Sequence, residues 1–407
     1  MTAQTVIMNK LCVGLSSDSS VTLVGPDGPQ RTFPTAEKVT PLPAPHSVAV
    51  LHSGSTELLG IPYSVLLVEW MRTLPEQPLD TVAAYREHLV SWIAGQQRLF
   101  PSEAQDEYLG WIIRDFFLAV RRNILKSCDE QEISQEQWGS AEASTIIDTA
   151  IAKGQELLDG RPKLTGWEEV DCGALLEEHA DLLKETREWV FDDTPRTAQG
   201  DTALTDLAAS LLSVFETYER DADLVLVGFG ADEVFPAADQ TTFQGIIDGR
   251  LRIGPSDVTL ISRDMDSTII PIGQTEAVHT FLRAYNNAFL RTAHTRLEKL
   301  MAEVKESIGP DGELAEKLDS LESSAHEGLE EDFGQVSWSE FVQPMVKTVA
   351  ALPPAEVTRM AESLVGLQVL RQLTQADAET VGGPIDVALI TRQDGFRWVR
   401  HKSLTLG

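Results

Sequence analysis

A chain of 407 residues with 42% hydrophobic content and a formal charge of −30 has the material for a packed core. It lacks the net basic character that nucleic acid or an anionic membrane surface requires, and its length suits about two or three average domains or one core with large insertions. Three cysteines (Cys12, Cys128, Cys172) without close pairing give no disulfide framework and fit a reducing compartment, so a cytoplasmic protein is expected.

From the amino terminus, "TVIMNKLCVGLSSD" and "SSVTLV" predict strands broken by small residues, and "GPDGP" predicts a turn. "HSVAVLHSG" predicts a short buried strand, followed by a helix over "TELLGIPYSVLLVEWMRTL". From about 77 to 200 the text is mostly helical, with "EAQDEYLGWIIRDFFLAVRRNILKS" its longest run. Leu204, Leu207, Ala208, Leu211, Phe215 and Tyr218 keep the spacing of one helix face. A buried strand, "DLVLVGFG", comes next, then strand candidates in "TFQGIIDGRLRI" and "DVTLIS".

The last third repeats the alternation. "GQTEAVHTFLRAYNNAFLRTAHTRLEKLMAEVK" predicts a helix, and residues 301–333 carry eleven Asp/Glu against two Lys, the signature of a solvated helix face or a mobile segment. "PPAEVTRMAESLVGLQVLRQL" predicts a helix with Pro in its first turn, and "PIDVALITRQDGFRWVRH" predicts two strands joined by a tight turn. There is no basic–apolar–small leader and no apolar run approaching roughly eighteen residues, so neither export nor membrane spanning is expected. Strands grouped at the start, middle and end, with helices between them, predict an α+β layered core interrupted by helical insertions.

The opening stretch carries a resemblance. Asp18, in "GLSSDSS", follows Thr2 by sixteen residues and heads an Asp-Ser pair; Lys38, in "TAEKVTPL", precedes the next apolar strand; Gly54, in "VAVLHSGST", ends that strand. With "ETVGGPIDVALITRQDGFRWV" near the carboxyl end, this order resembles a proteasome β-type subunit of the N-terminal-nucleophile (Ntn) hydrolase superfamily. It is also similar to bacterial proteasome-type proteins with "DSAVT"-like, "GFG-x-x-E-x-FP"-like and "ETVGGPID"-like segments. The resemblance covers about 1–75, 220–290 and 345–403.

The resemblance implies a four-layer αββα sandwich: two stacked antiparallel sheets between two helix layers. Its core parts would be 1–98, 203–290 and 345–407, with a helical insertion at 99–202 and an acidic helical insertion at 291–344. It implies a threonine hydrolase that cleaves amide or peptide bonds through an acyl-enzyme on Thr2, with no cofactor, no metal and a tendency to self-associate. The alternative is an inactive Ntn-fold binding or assembly module.

The chemistry is coherent on its own terms. A threonine hydroxyl becomes a nucleophile when a base takes its proton, and an N-terminal amine with an ordinary pKa near 7.7–8 can serve. Removal of Met1 is expected to free that amine on Thr2. A Lys38 ammonium would push amine and hydroxyl towards their deprotonated forms, Asp18 would hold the lysine, and the Gly54 N–H would stabilise the oxyanion. Lys38→Ala is therefore expected to slow reaction more than it alters folding.

Taken singly, each residue has a plainer reading: Thr2 as an ordinary second residue, Asp18 as a backbone cap, Lys38 as solvated surface, Gly54 as a turn. Four positions depart from the family pattern. Ser20 replaces an Arg, and Ala378 and Val381 replace an Asp and a Ser, with Asp377 or Glu379 as candidate substitutes for the acid; a further supporting Ser falls near Gln274 or Thr275. Other constellations are weaker. "GFGADE" predicts a strand-end turn, the eight histidines form no His-x-x-x-His pair, "DMDS" is too short for a metal site, and no Gly-x-Ser-x-Gly elbow occurs.

Overall fold

Alternation begins at once in the first strand. In the computed structural model, which describes residues 2–25, 28–131, 133, 140–194, 198–308, 312–374 and 381–402, β1 (Ala3–Asn9) is buried on both faces. Val6 and Met8 point to one apolar cluster and Ile7 to another. The chain continues through β2 (Cys12–Ser17), a β3 (Val21–Gly25)–β4 (Gly28–Phe33) hairpin, β5 (Val39–Pro41), β6 (Ser47–Gly54) and a small β7 (Glu57–Leu58)–β8 (Ile61–Pro62) hairpin. Helices α1 (Tyr63–Met71), α2 (Val82–Ala94), α3 (Ser102–Glu130), α4 (Ala141–Asp159), α5 (Cys172–Glu178), α6 (Ala180–Val190) and α7 (Ala198–Ser213) follow.

Strands β9 (Ala222–Phe229), β10 (Ala237–Ile247), β11 (Arg250–Ile253), β12 (Asp257–Leu260) and β13 (Ser267–Gly273) come next. Then come α8 (Glu276–Arg283), α9 (Asn287–Ile308), α10 (Gly312–Val336), a π-helical turn Ser337–Val342, α11 (Gln343–Ala351) and α12 (Pro354–Leu373). The described chain closes with β14 (Asp386–Thr391) and β15 (Gly395–Arg400). No described helix is long and apolar enough to cross a membrane.

These strands form two main sheets, and the described pairings are antiparallel. One runs β13-β1-β2-β14-β15; the other runs β11-β10-β9-β6-β5, with β12 also on β10. Val6, Met8, Val13, Leu15 and Ala388 of the first sheet pack with Val39, Ala49, Leu51, Val225 and Val227 of the second. On the other side of the first sheet, Ile7 and Cys12 meet Val278 of α8, Val349 of α11, and Val357 and Ala361 of α12. On the other side of the second, Val48, Val50, Leu224 and Leu226 meet Tyr63 and Trp70 of α1 and Tyr85 and Leu89 of α2. The fold is thus mixed α and β with antiparallel sheets, as an α+β reading requires.

Helices α3 to α7 build a core of their own around Ile112, Phe117, Ile147, Leu176, Leu207 and Leu211. The Trp167 indole N–H, donating to Leu251 O at 3.0 Å, ties this core to β11. The first residues of α7 precede position 203, and its apolar face packs with the helices before it.

Several local expectations change. "TELLGIP" is a hairpin and not helix, because Leu59 (φ 46°) and Gly60 (φ 78°) turn the chain back before α1. Phe215 and Tyr218 lie beyond α7, although both still pack against the helical core. The helix expected over 273–305 breaks at Ala284, which is left-handed (φ 62°). The "GFGADE" turn is structural: the Glu233 carboxylate accepts the Gly230 N–H at 2.7 Å and the Val82 N–H at the start of α2 at 3.1 Å.

Candidate active site

The chain ahead of β1 is fastened from both sides. Thr2, only 6% exposed, has its carbonyl oxygen bonded by the Gln274 N–H at 2.6 Å. Gly273, which pairs with Ala3, is left-handed (φ 77°), and a Cβ on it would stand 2.2 Å from Thr2 O. A glycine is therefore required where β13 passes the amino-terminal residues.

Asp18 supplies the second anchor. It lies just past β2 and is fully buried; its N–H donates to Ala3 O at 3.0 Å, and its Oδ1 accepts the Ala3 N–H at 2.9 Å. The same oxygen accepts Lys38 Nζ at 2.7 Å, while Oδ2 accepts the N–H groups of Ser20 (3.2 Å) and Gly382 (3.1 Å). One carboxylate thus takes three backbone donors and an ammonium, which offsets the cost of burying its charge. Ser20, where the resembled family has an arginine, contributes its backbone N–H.

Lys38 is 4% exposed. Burial draws its ammonium below the ordinary lysine range; Asp18 opposes this shift and the Lys402 ammonium adds to it. Its carbonyl accepts the His52 N–H at 3.1 Å and Gln4 Nε2 at 3.1 Å, which fixes the start of β5 against β6 and β1. Burial, and then the neighbouring Lys38 charge, hold His52 down to about 4, so its ring is neutral at neutral pH.

Gly54 ends β6 two residues beyond His52. It is left-handed (φ 84°), and a Cβ there would stand 2.4 Å from Asp221 O. Among the described residues, no hydrogen bond joins Gly54 to Asp18 or Lys38. The structure therefore brings Asp18 and Lys38 together beside the Thr2–Ala3 backbone, and Gly54 lies two residues past His52, whose N–H bonds the Lys38 carbonyl.

Of the substitute positions, Asp377, Ala378 and Glu379 lie outside the described residues, and Val381 is buried among apolar side chains. Gln274 serves Thr2 through its backbone N–H. Sequence reasoning missed Gln4, whose side-chain amide also donates to Ser17 Oγ (3.2 Å) and His52 O (3.3 Å). A lone glutamine in an alternating strand carries no signal beyond its burial at a polar position.

Other chemistries are poorly served. Burial pushes the Cys12 thiol up to about 11, away from the thiolate a nucleophile needs. Glu37, Asp386 and His401 bring ligand-type atoms within 4.8 Å of one another, but the Lys402 ammonium bonds both carboxylates and makes this an ion-pair network. No family model matches the chain, and no curated protein or solved structure matches it.

Proposed function

We propose that this protein is an N-terminal threonine hydrolase of the proteasome-like Ntn class, cleaving an amide or peptide bond through an acyl-enzyme on Thr2. The observation that carries this reading is the buried Asp18–Lys38 pair, with the Asp18 carboxylate also bonded to the Ala3 N–H beside Thr2. The packing order of helices, sheet, sheet and helices supports the αββα sandwich that the reading requires.

In this mechanism, loss of Met1 leaves Thr2 with a free α-amine. The Thr2 hydroxyl oxygen attacks the substrate carbonyl carbon as the amine takes its proton. The Gly54 N–H stabilises the resulting oxyanion. Collapse breaks the C–N bond, and the ammonium returns its proton to the leaving amine. Water, deprotonated by the same amine, then attacks the ester; the acid departs and the Thr2 hydroxyl is restored. Lys38, by its charge, keeps the resting amine unprotonated and stabilises the developing alkoxide of Thr2, and Asp18 holds Lys38 in place.

The near-complete burial of Thr2 favours a second reading, an inactive Ntn-fold module for binding or assembly. Intact mass of the purified protein, before and after a peptide epoxyketone that engages amine and hydroxyl together, separates the two. Met1 absent and one adduct on Thr2 are expected. A chain that keeps Met1, or a Met-free chain that several warheads leave unmodified, establishes the second reading.

A further inference from the structure

A second lysine–aspartate pair lies against the first. Lys402, just past β15, has a side chain only 3% exposed, and its Nζ bonds Asp386 Oδ2 and, at 3.2 Å, Glu37 Oε1. Its backbone N–H donates to Asp386 Oδ1 at 2.9 Å. Asp386, the first residue of β14, also accepts the Ser19 hydroxyl at 3.4 Å. The two pairs are linked through sequence neighbours: Ser19 follows Asp18, and Glu37 precedes Lys38.

Such burial is costly unless it fixes something. Taking a lysine and an aspartate out of water is seldom stabilising against an apolar pair of the same size. This pair bonds to both segments that bring Asp18 and Lys38 together. We propose that Lys402, clamped by Asp386 and Glu37, is a positioning residue of the Thr2 site that sets the placement and charge state of Lys38. The inference rests on the reading of Thr2 as nucleophile only for its functional consequence.

The charges around the two lysines give the sign. Lys38 faces Asp18, His52 and Lys402; Lys402 faces Asp386, Glu37 and Lys38, with His401 next to it on Glu37 at 3.2 Å. The Lys402 charge disfavours a second ammonium at Lys38, whereas Glu37 favours one. Lys402→Met removes a cation and unbalances two carboxylates, so Lys38 holds its proton to higher pH. Lys402→Arg keeps the cation. Glu37→Gln, at a half-exposed residue, acts in the opposite direction.

The test is a titration of Lys38 by NMR in protein labelled with 13C-lysine, its signal assigned with Lys38→Arg and the background set as Thr2→Ala. Lys402→Met should raise the Lys38 midpoint by about one pH unit, Lys402→Arg should restore it, and Glu37→Gln should lower it by a smaller amount. Lys402→Met/Asp386→Asn, which leaves no orphaned carboxylate in the pair, serves if the single variant does not fold. A Lys38 midpoint that does not move across these variants overturns the proposal.

Because Thr2 is absent from this background, that result is independent of whether Thr2 reacts. In the Thr2 protein, the alkaline limb of the labelling rate should follow the same shift. A moving midpoint with no labelling at any pH would leave the coupling intact and remove the hydrolase reading instead.

Discussion

Lys38 Nζ donates to Asp18 Oδ1 across 2.7 Å with both side chains buried. Asp18 carries three further hydrogen bonds from backbone N–H groups, so the pair is part of the fold as well as of the proposed site. Breaking a buried pair from one side leaves an uncompensated charge, at a cost of about 3–5 kcal/mol.

The first prediction follows and puts a size on the folding side of the expectation that Lys38→Ala slows reaction more than it alters folding. Urea unfolding should show Lys38→Ala and Asp18→Ala each destabilised by about 3 kcal/mol or more. Lys38→Met/Asp18→Asn should lose at least about 1 kcal/mol less than the sum of its single variants, because it strands no charge. Additive losses would mean that the two groups do not interact.

A second prediction concerns pH. His52, held down to about 4 from 6.5 by burial and then by Lys38, destabilises the fold when it is protonated. Its contribution is present above 6.5 and is lost as pH falls towards 4. Burial raises Asp221 from 3.8 to about 6, so its contribution runs the other way, present near 3.8 and lost as pH rises through 6. Between these limits the two slopes oppose each other. Relative to the parent, His52→Gln should gain stability on going from pH 6.5 to pH 4.5, and Asp221→Asn should gain it on going from pH 4.5 to pH 6.5. Each change should be on the order of 2 kcal/mol, read from denaturant midpoints across that range.

The parts of this arrangement that local sequence can encode were legible there. Short continuous apolar runs mark β1, β2, β6 and β9, and the Thr2–Asp18 interval is the span of one hairpin, which returns Asp18 to Ala3. Other features were hidden for physical reasons. β13 contains Pro271, which weakens a strand reading and is tolerated because β13 is a sheet edge. The β7–β8 turn sits among helix-forming leucines, and the α8–α9 break uses an alanine where a glycine would have signalled it. The Asp386–Lys402 pair joins sites distant in sequence from Glu37 and Ser19, and contacts between single polar residues leave no periodic trace.

The third prediction tests the anchoring of the amino terminus. Gly273→Ala places a Cβ against Thr2 O in a left-handed backbone, so either β13 or the Thr2 segment must move. The protein should lose about 2 kcal/mol or more, and labelling of Thr2 by an epoxyketone should fall with it. Gly249→Ala is the control: its backbone is also left-handed (φ 69°) but nothing stands within 4 Å of the added Cβ. It should cost less and leave Thr2 labelling unchanged; equal effects would show that strain alone, without contact at Thr2, explains the loss.

The last prediction separates the two groups proposed to act on residue 2. The bonds that fasten this segment are made by Thr2 O and by the Ala3 backbone, so they survive changes to the Thr2 side chain. Thr2→Ala should therefore stay within about 1 kcal/mol of the parent in unfolding while losing all epoxyketone labelling. Thr2→Ser keeps both hydroxyl and amine and should label, at an altered rate. A protein produced with an extra residue between Met1 and Thr2 keeps the hydroxyl but moves the free amine away from it, and should not label. If that extended protein reacts as fast as the parent, the α-amine is not the base, and the lowered pKa of Lys38 makes its side chain the next group to test in that role.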